Sequence, residues 1–153
     1  MSETEKLREQ IKRKLHNYNN VRWECKQVAD RLAELETTAT SPRVQALDGM
    51  PHGTGGGDAM TGIVAELVKL QEKYKDKLHQ LNATLFEVED MIDRLGDPVE
   101  RRLMRCRYID GLTWEEVCVE MNYSWRQTHR IHGTALDKLV AAEMEKLEVP
   151  ENV

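Results

Sequence analysis

The chain has 153 residues, a net charge of −5 and 32% charged side chains. This length allows one or two small domains, and no apolar run approaches the roughly 18 residues of a membrane span. Because the start MSETEKLREQ is charged throughout, we do not expect it to be a secretory signal. The three cysteines, Cys25, Cys106 and Cys118, are odd in number and far apart, which favours reduced, mostly buried thiols in a cytoplasmic protein.

The first predicted element is a long helix over residues 3–36. Apolar residues recur at spacings of three and four over about four heptads, if Lys14 is counted as one filled position. They are Leu7, Ile11, Tyr18, Val21, Cys25, Val28, Leu32 and Leu35. Residues 37–62 follow, with many glycines, two prolines and no periodicity, and they predict a long loop. A loop of this length is typical of a functional or a disordered segment.

The second predicted helix covers residues 63–95. Leu67, Leu70, Tyr74, Leu81, Val88, Met91 and Leu95 take the a and d positions, and Leu78, Leu85 and Ile92 widen the stripe. A wide apolar stripe indicates more than one neighbouring helix. Two long helices joined by a loop predict a coiled-coil-like antiparallel hairpin, which would form a domain over residues 1–95. Because a lone hairpin buries little surface, we expect a homodimer through the long helices.

Three capped helices are predicted in residues 96–147. Gly96 ends the second long helix, and Asp97, Pro98 and Glu100 form the cap of the next one. This helix has Leu103, Met104, Tyr108 and Ile109 as core candidates and ends at a left-handed Gly111. Thr113 and Glu116 open the short helix WEEVCVEM, in which Val117, Cys118 and Met121 face inward.

The last predicted helix follows a tight turn at Asn122 and Tyr123. Ser124 caps it, Gln127 takes the N3 position, and the helix runs to about Lys146. Short connections between capped helices predict a helix-turn-helix, so the fold class is all-α with a three-helix C-terminal domain and a tail over residues 148–153.

The outward face of this last helix predicts a DNA-binding site. Thr128, Ile131, Ala135 and Leu139 form its inward stripe, with His132 at the edge. Arginine can donate two hydrogen bonds to guanine, glutamine can pair with adenine, and helix N-termini can bind phosphate. The predicted DNA-binding residues are Thr113, Ser124, Trp125, Arg126, Gln127, His129 and Arg130.

Several of these residues have a second interpretation. Gln127 serves either as a cap or as a base contact, and Trp125 either packs at the rim or touches DNA. A metal site at His129 and His132 is not expected, because no acidic or thiol partner lies near them in sequence. The arginine run Arg101, Arg102, Arg105 and Arg107 either pairs with Asp97, Glu115 and Glu116 or, for its first three members, makes flanking phosphate contacts.

An enzyme is not expected. No nucleophile, base and orienting group can be assembled from the sequence, and we expect no cofactor. The segment HGTGGG is not a phosphate-binding loop, because it has no following GKS or GKT and no preceding strand.

The segment LMRCRYIDGLTWEEVCVEMNYSWRQTHRIHGTALDKL resembles sigma-70 region 4 domains. It is more closely similar to the phage-encoded DUF1492 family, relatives of the RinA and ArpU late-gene regulators, and GMPHGTGGGD is similar to that family too. The resemblance implies a phage or prophage regulator of transcription in the bacterial cytoplasm. Its implied partners are double-stranded promoter DNA and host RNA polymerase. No segment resembles the domain of sigma factors that reads the −10 element, so a self-sufficient sigma factor is not expected.

Two other functions agree with the same pattern. A DNA-packaging accessory protein of the small-terminase type also joins a helix-turn-helix to helical oligomerisation elements. A purely structural protein that has lost DNA binding is the third alternative.

Overall fold

A computed structural model of the chain describes residues 2–40 and 55–148. Within these ranges the chain forms five α-helices and no β-strand. They are α1 (Glu3–Ala39), α2 (Gly55–Asp93), α3 (Pro98–Met104), α4 (Trp114–Met121) and α5 (Trp125–Glu148). The predicted all-α class, with a long N-terminal helix and a C-terminal helical domain, is confirmed.

The chain divides into two compact units. The first comprises Met1–Asn20 and Asn82–Val153, and the second is Val21–Leu81. The start of α1 and the end of α2 therefore belong to the same unit as α3, α4 and α5. The boundary predicted between residues 95 and 96 lies inside this first unit, and most of the predicted tail, residues 149–153, lies outside the described residues.

The second unit is an antiparallel pair of α1 and α2 segments. Glu24 of α1 contacts Lys77 of α2 at 2.7 Å, and Arg31 of α1 contacts Glu66 of α2 at 3.9 Å. The residue numbers of the partners thus rise along α1 and fall along α2. Among the described side chains of this unit, the buried ones are Val21, Cys25 and Val28, all on α1.

The first unit has the larger apolar core. α1 contributes Ile11, Leu15 and Tyr18, and α2 contributes Val88, Met91, Ile92 and Leu95. The C-terminal helices add Leu103, Met104, Val117, Met121, Ala135, Leu136, Leu139 and Val140. Ion pairs of Arg8 with Asp137, and of Arg94 with Glu143 at 3.2 Å, connect α5 to α1 and α2 at the edge of this core.

A π-helical turn, Arg105–Ile109, continues α3. The amide of Asp110 donates to the carbonyl of Arg105 at 2.9 Å, a five-residue step that widens the helix. Cys106 and Tyr108 are both buried in this turn, whereas the predicted core residue Ile109 is only half-buried. Gly111 follows with φ 73°, which confirms the left-handed end predicted for this helix.

The heptad assignment in α1 was wrong at one position. Leu15 is fully buried, while Lys14 is exposed and lies 3.8 Å from Glu87. An apolar side chain gains more from burial than a lysine, so the helix turns Leu15 inward.

The predicted loop over residues 37–62 is shorter than expected at both ends. α1 continues to Ala39, and the Thr37 and Thr38 hydroxyls donate to carbonyls four residues earlier in it, at 2.8 and 3.0 Å. α2 already begins at Gly55, because each residue added to an existing helix gains a backbone hydrogen bond. Residues 41–54 lie outside the described residues.

The predicted reciprocal cap at Glu100 was also wrong. Asp97 accepts from the Val99 amide at 2.8 Å, as expected of a cap. Glu100 is instead 4% exposed and accepts from Lys138 Nζ of α5 at 2.7 Å. The glutamate faces the core side of its helix, so the carboxylate pairs with a lysine rather than with the start of α3.

In the part of the chain that the structure describes, none of the helices has the length and apolar character needed to cross a membrane.

Candidate nucleic-acid interface

A short turn connects α4 to α5 and sets the direction of α5. Asn122 takes the left-handed conformation, with φ 58° and ψ 43°, and its amide donates to carbonyls of the last turn of α4. The Tyr123 amide donates to the Cys118 carbonyl at 3.1 Å. Asparagine tolerates this conformation better than most residues, which explains why the helix can end sharply here.

Both N-caps predicted for α4 and α5 are formed. The Ser124 hydroxyl accepts from the Gln127 amide at 3.1 Å, and the Thr113 hydroxyl accepts from the Glu116 amide at 3.2 Å. The two helix starts differ in charge, since α4 has Glu115 and Glu116 in its first turn and α5 has no acidic residue there. Only the start of α5 therefore presents an uncompensated positive helix end, so Thr113 is the weaker phosphate candidate.

The inward face of α5 is fixed by burial and by one hydrogen bond to α4. Thr128 is fully buried, and the Cys118 thiol donates to its hydroxyl at 3.4 Å. Ala135 and Leu139 of the predicted stripe are buried too, while Ile131 is half-buried. This packing determines which side chains of α5 remain on the surface.

Arg126 and Arg130 lie one helical turn apart on that surface and are both exposed. In residues 2–40 and 55–148, neither guanidinium has a hydrogen bond or an ion pair. With Ser124 and Gln127 they line an open cleft of about 430 Å³ in which no lining side chain is acidic. An unpaired guanidinium can donate two parallel hydrogen bonds to a phosphate or to guanine.

Gln127 is half-buried, and its backbone amide, not its side chain, makes the bond to Ser124. Its carboxamide makes no hydrogen bond within the described residues, so it can act on a ligand in the cleft. The cap is completed without it.

A column of rings supports the start of α5. The His129 ring lies between Trp125 and Trp114, with centroids at 4.3 and 4.6 Å. His129 Nδ1 donates to the Trp125 carbonyl at 3.0 Å, because a carbonyl can only accept. Nε2 then has a proton to donate to a phosphate only when the ring is an imidazolium. Trp125 is 52% exposed, so it packs on one face and presents the other to solvent.

The column continues into the core through His132 and Tyr108. His132 lies edge-on to Trp114 at 4.7 Å, and its Nε2 shares a 2.6 Å hydrogen bond with the Tyr108 hydroxyl. Burial lowers the pKa of His132 to about 4 and raises the pKa of Tyr108 to about 12. His16 of α1 meets the Tyr108 ring edge-on at 5.2 Å, and its pKa is lowered by burial and then by Arg107.

The contact of Arg107 with Trp114 is the feature of this surface that sequence reasoning missed. The Arg107 guanidinium lies 4.7 Å above the Trp114 ring and donates to the Leu112 carbonyl at 2.9 Å. Together they hold the Gly111 turn against the ring column. Trp114 at the first position of α4 was the available signal, but its partners lie on another helix.

The other three arginines of α3 and its π-helical turn have partners different from those predicted. Arg101 donates to the Leu95 carbonyl at 2.6 Å. Arg102 and Arg105 lie 3.8 Å from Glu120 and 3.6 Å from Glu89, and their side chains are 61% and 47% exposed. Pairing with Asp97, Glu115 or Glu116 was therefore wrong. Because exposed pairs at these distances are weak, Arg102 and Arg105 can exchange their partners for a phosphate, whereas Arg101 is held.

The family described as "Protein of unknown function (DUF1492)" matches residues 50–140 of the chain. No curated protein and no solved structure matches the chain.

Proposed function

The chain belongs to the DUF1492 family, and we propose that it is a phage or prophage transcription regulator that binds promoter DNA. In this proposal α4 and α5 are the two helices of a helix-turn-helix similar to that of sigma-70 region 4. α5 enters the major groove with its N-terminal turns, and the protein acts on late genes in the bacterial cytoplasm.

The observation that carries the proposal is the pair of exposed, unpartnered guanidinium groups of Arg126 and Arg130. Four other arginines of the first unit, on α3 and its π-helical turn, have partners within the chain. The two on α5 stand beside a helix start without acidic residues and beside a free carboxamide. This set of donors on one exposed helix end suits base edges and phosphates together.

The remaining candidates have supporting roles in the same proposal. In its imidazolium form, His129 donates from Nε2 to a backbone phosphate. The outer face of Trp125 contacts a sugar or a thymine methyl group. Arg102 and Arg105 give flanking phosphate contacts. Few cationic groups are involved, so binding without sequence preference is weak and is lost steeply with salt.

The test is a salt-titrated mobility shift on fragments of the genome that encodes the chain, followed by footprinting of the fragment bound best. Arg126→Ala with Arg130→Ala should weaken binding at least tenfold and lower the salt slope by about one for each lost phosphate contact. Arg31→Ala is the control, because Arg31 is also exposed but lies in the second unit.

A footprint over a late promoter supports regulation, and one over the packaging site replaces it with the DNA-packaging function. Unchanged binding by the double-arginine variant, with intact folding, would show that α5 does not read DNA.

A further inference from the structure

Arg130 borders two clefts of different character. The first is the open cleft at the start of α5, which Arg126 also lines and in which no lining side chain is acidic. The second is a cleft of about 250 Å³ between the start of α3 and α5, lined by Asp97, Val99, Glu100, Arg130, Ile131 and Thr134. Arg126 does not line this second cleft. The two exposed arginines of α5 therefore have different surroundings.

The second cleft has hydrogen-bond acceptors in excess. The Asp97 side chain is exposed and accepts from the Val99 amide through Oδ1 at 2.8 Å, and among the described residues it has no cationic partner. Glu100 is 4% exposed, and while Lys138 donates to its Oε1 at 2.7 Å, its Oε2 has no hydrogen-bond partner in the same part of the chain. A buried acceptor without a donor is unfavourable, so this cleft favours an N–H group.

These surroundings favour one kind of DNA contact for Arg130. A phosphate held by Arg130 would also lie near the unpaired carboxylate of Asp97, and like charges repel each other. A guanine edge is uncharged and presents two acceptors, N7 and O6, to one edge of a guanidinium. An arginine has more N–H donors than this contact uses, so donors remain for a carboxylate. A base contact by Arg130 is therefore compatible with Asp97, whereas a phosphate contact is opposed by it.

We propose that Arg130 recognises a guanine and that Asp97 is the positioning residue for this contact. A change of side-chain rotamer brings the two exposed groups together, and the carboxylate then accepts from the N–H groups of Arg130 that do not face the base. Arg126, whose cleft has no acidic side chain, contacts a phosphate instead. The proposal rests on DNA binding by α5 and adds which of its arginines determines base preference.

Selection of bound DNA from a pool of random duplexes, using the full chain and its variants, tests the proposal. Arg130→Ala should lower the preference for one G·C pair of the wild-type site by roughly 5- to 140-fold. Asp97→Asn should lower the preference at the same pair by at least about threefold, because the guanidinium loses its orienting acceptor. Arg126→Ala should keep the base preferences of the wild type while it binds all sequences more weakly and with a lower salt slope.

Asp97→Asn isolates the carboxylate from the helix cap. Asparagine caps a helix about as well as aspartate, so the unfolding midpoint of this variant should match that of the wild type. Asp93→Asn is the matched control, since it removes the charge of another exposed aspartate four residues earlier and should leave every base preference unchanged. Loss of negative charge alone strengthens binding to all sequences, and a folding defect weakens it for all. A change at one base pair therefore separates positioning from both effects.

Two results overturn the proposal while DNA binding by α5 stands. One is a folded Asp97→Asn variant with the base preferences of the wild type. The other is an Arg130→Ala variant that binds every sequence more weakly without losing preference at any base pair. A wild-type chain that binds the pool without enriching any sequence also overturns it. A wild-type chain that binds no duplex contradicts the proposed function, and the role of Asp97 with it.

Discussion

The hydroxyl of Tyr108 lies 2.6 Å from Nε2 of His132 and joins the π-helical turn after α3 to the first half of α5. Because burial raises the pKa of Tyr108 to about 12 and lowers the pKa of His132 to about 4, both groups are neutral near pH 7. Besides burial, a proton on His132 is opposed by the neighbouring side chains of His129, Lys12, Arg8 and Arg107. This hydrogen bond therefore joins the two helices through two neutral groups.

Acid should destabilise the first unit through His132. Its pKa is about 4 when folded against 6.5 for the free side chain, so between these values the unfolded chain binds the proton and the folded chain does not. The stabilisation is complete above pH 6.5, falls as the pH drops towards 4, and amounts to at most about 3 kcal/mol. His16 contributes in the same direction.

Urea unfolding at a series of pH values measures this effect. His132→Gln should flatten the dependence between pH 6.5 and 4. His79→Gln removes an exposed histidine of α2 and is the control. Equal pH dependence in wild type and His132→Gln would show that another group causes the loss.

Substitutions of Ser124 and Gln127 should show which residue stabilises the helix start and which recognises a base. Ser124→Ala removes the hydroxyl that accepts from the Gln127 amide and should cost about 1 kcal/mol of stability. Gln127→Ala keeps this bond, so stability should change by less than about 0.5 kcal/mol, while discrimination at one base pair falls by about 1–3 kcal/mol. Thermal unfolding and binding to single-base variants of the footprinted site give the two readouts. A large stability loss with unchanged base preference in Gln127→Ala would show that Gln127 acts in the N-cap and not in base recognition.

Gly111 and Gly133 should respond oppositely to the same substitution. Gly111→Ala places a Cβ on a residue with φ 73° and should cost about 1–2 kcal/mol. Gly133 lies inside α5, and a Cβ there would meet nothing within 4 Å, so Gly133→Ala should stabilise by about 0.5–1 kcal/mol. Denaturant midpoints of the two variants provide the comparison. Destabilisation by Gly133→Ala would mean that α5 is more crowded there than the structure shows.

Removing the charge of Lys138 should lower stability, because the buried carboxylate of Glu100 then lacks its partner. Glu100 Oε2 is buried and has no hydrogen-bond partner among the described residues, and Oε1 has Lys138. Lys138→Met should cost about 2 kcal/mol, less than for a fully buried pair because the lysine is 48% exposed. Adding Glu100→Leu should restore most of the loss. Lys146→Met, which removes an exposed partner of Glu143, is the control, expected near zero.

Local signals were read correctly from the sequence, and contacts between distant residues were not. Ser124, Thr113 and Gly111 act within a few residues of their own position, so type and spacing are sufficient to predict caps and ends. The same reasoning failed for Glu100, whose partner Lys138 lies 38 residues away. From the sequence alone, a glutamate that caps a helix cannot be distinguished from one that forms an ion pair in the core.

The exposed residues of the candidate site were predictable from the sequence, but the contacts that hold them in place were not. The outward positions of Arg126 and Arg130 follow from helical periodicity once Thr128 is known to face inward. The ring column depends on the π-helical turn, which shifts Tyr108 towards His132 and has no sequence signature of its own. The partners of Arg102 and Arg105 depend on which helices meet, which composition does not reveal.

The first unit is discontinuous along the chain, and this affects how it can form during synthesis. Ile11, Leu15 and Tyr18 of α1 share a core with residues from 82 onward, so their final neighbours emerge from the ribosome only after the whole second unit has been made. Residues 21–81 are complete earlier and can pair locally. Their pairing shortens the effective loop between the two pieces of the first unit, which lowers the entropic cost of closing its core. Pairing within the second unit thereby favours the folding of the first unit, which carries α5.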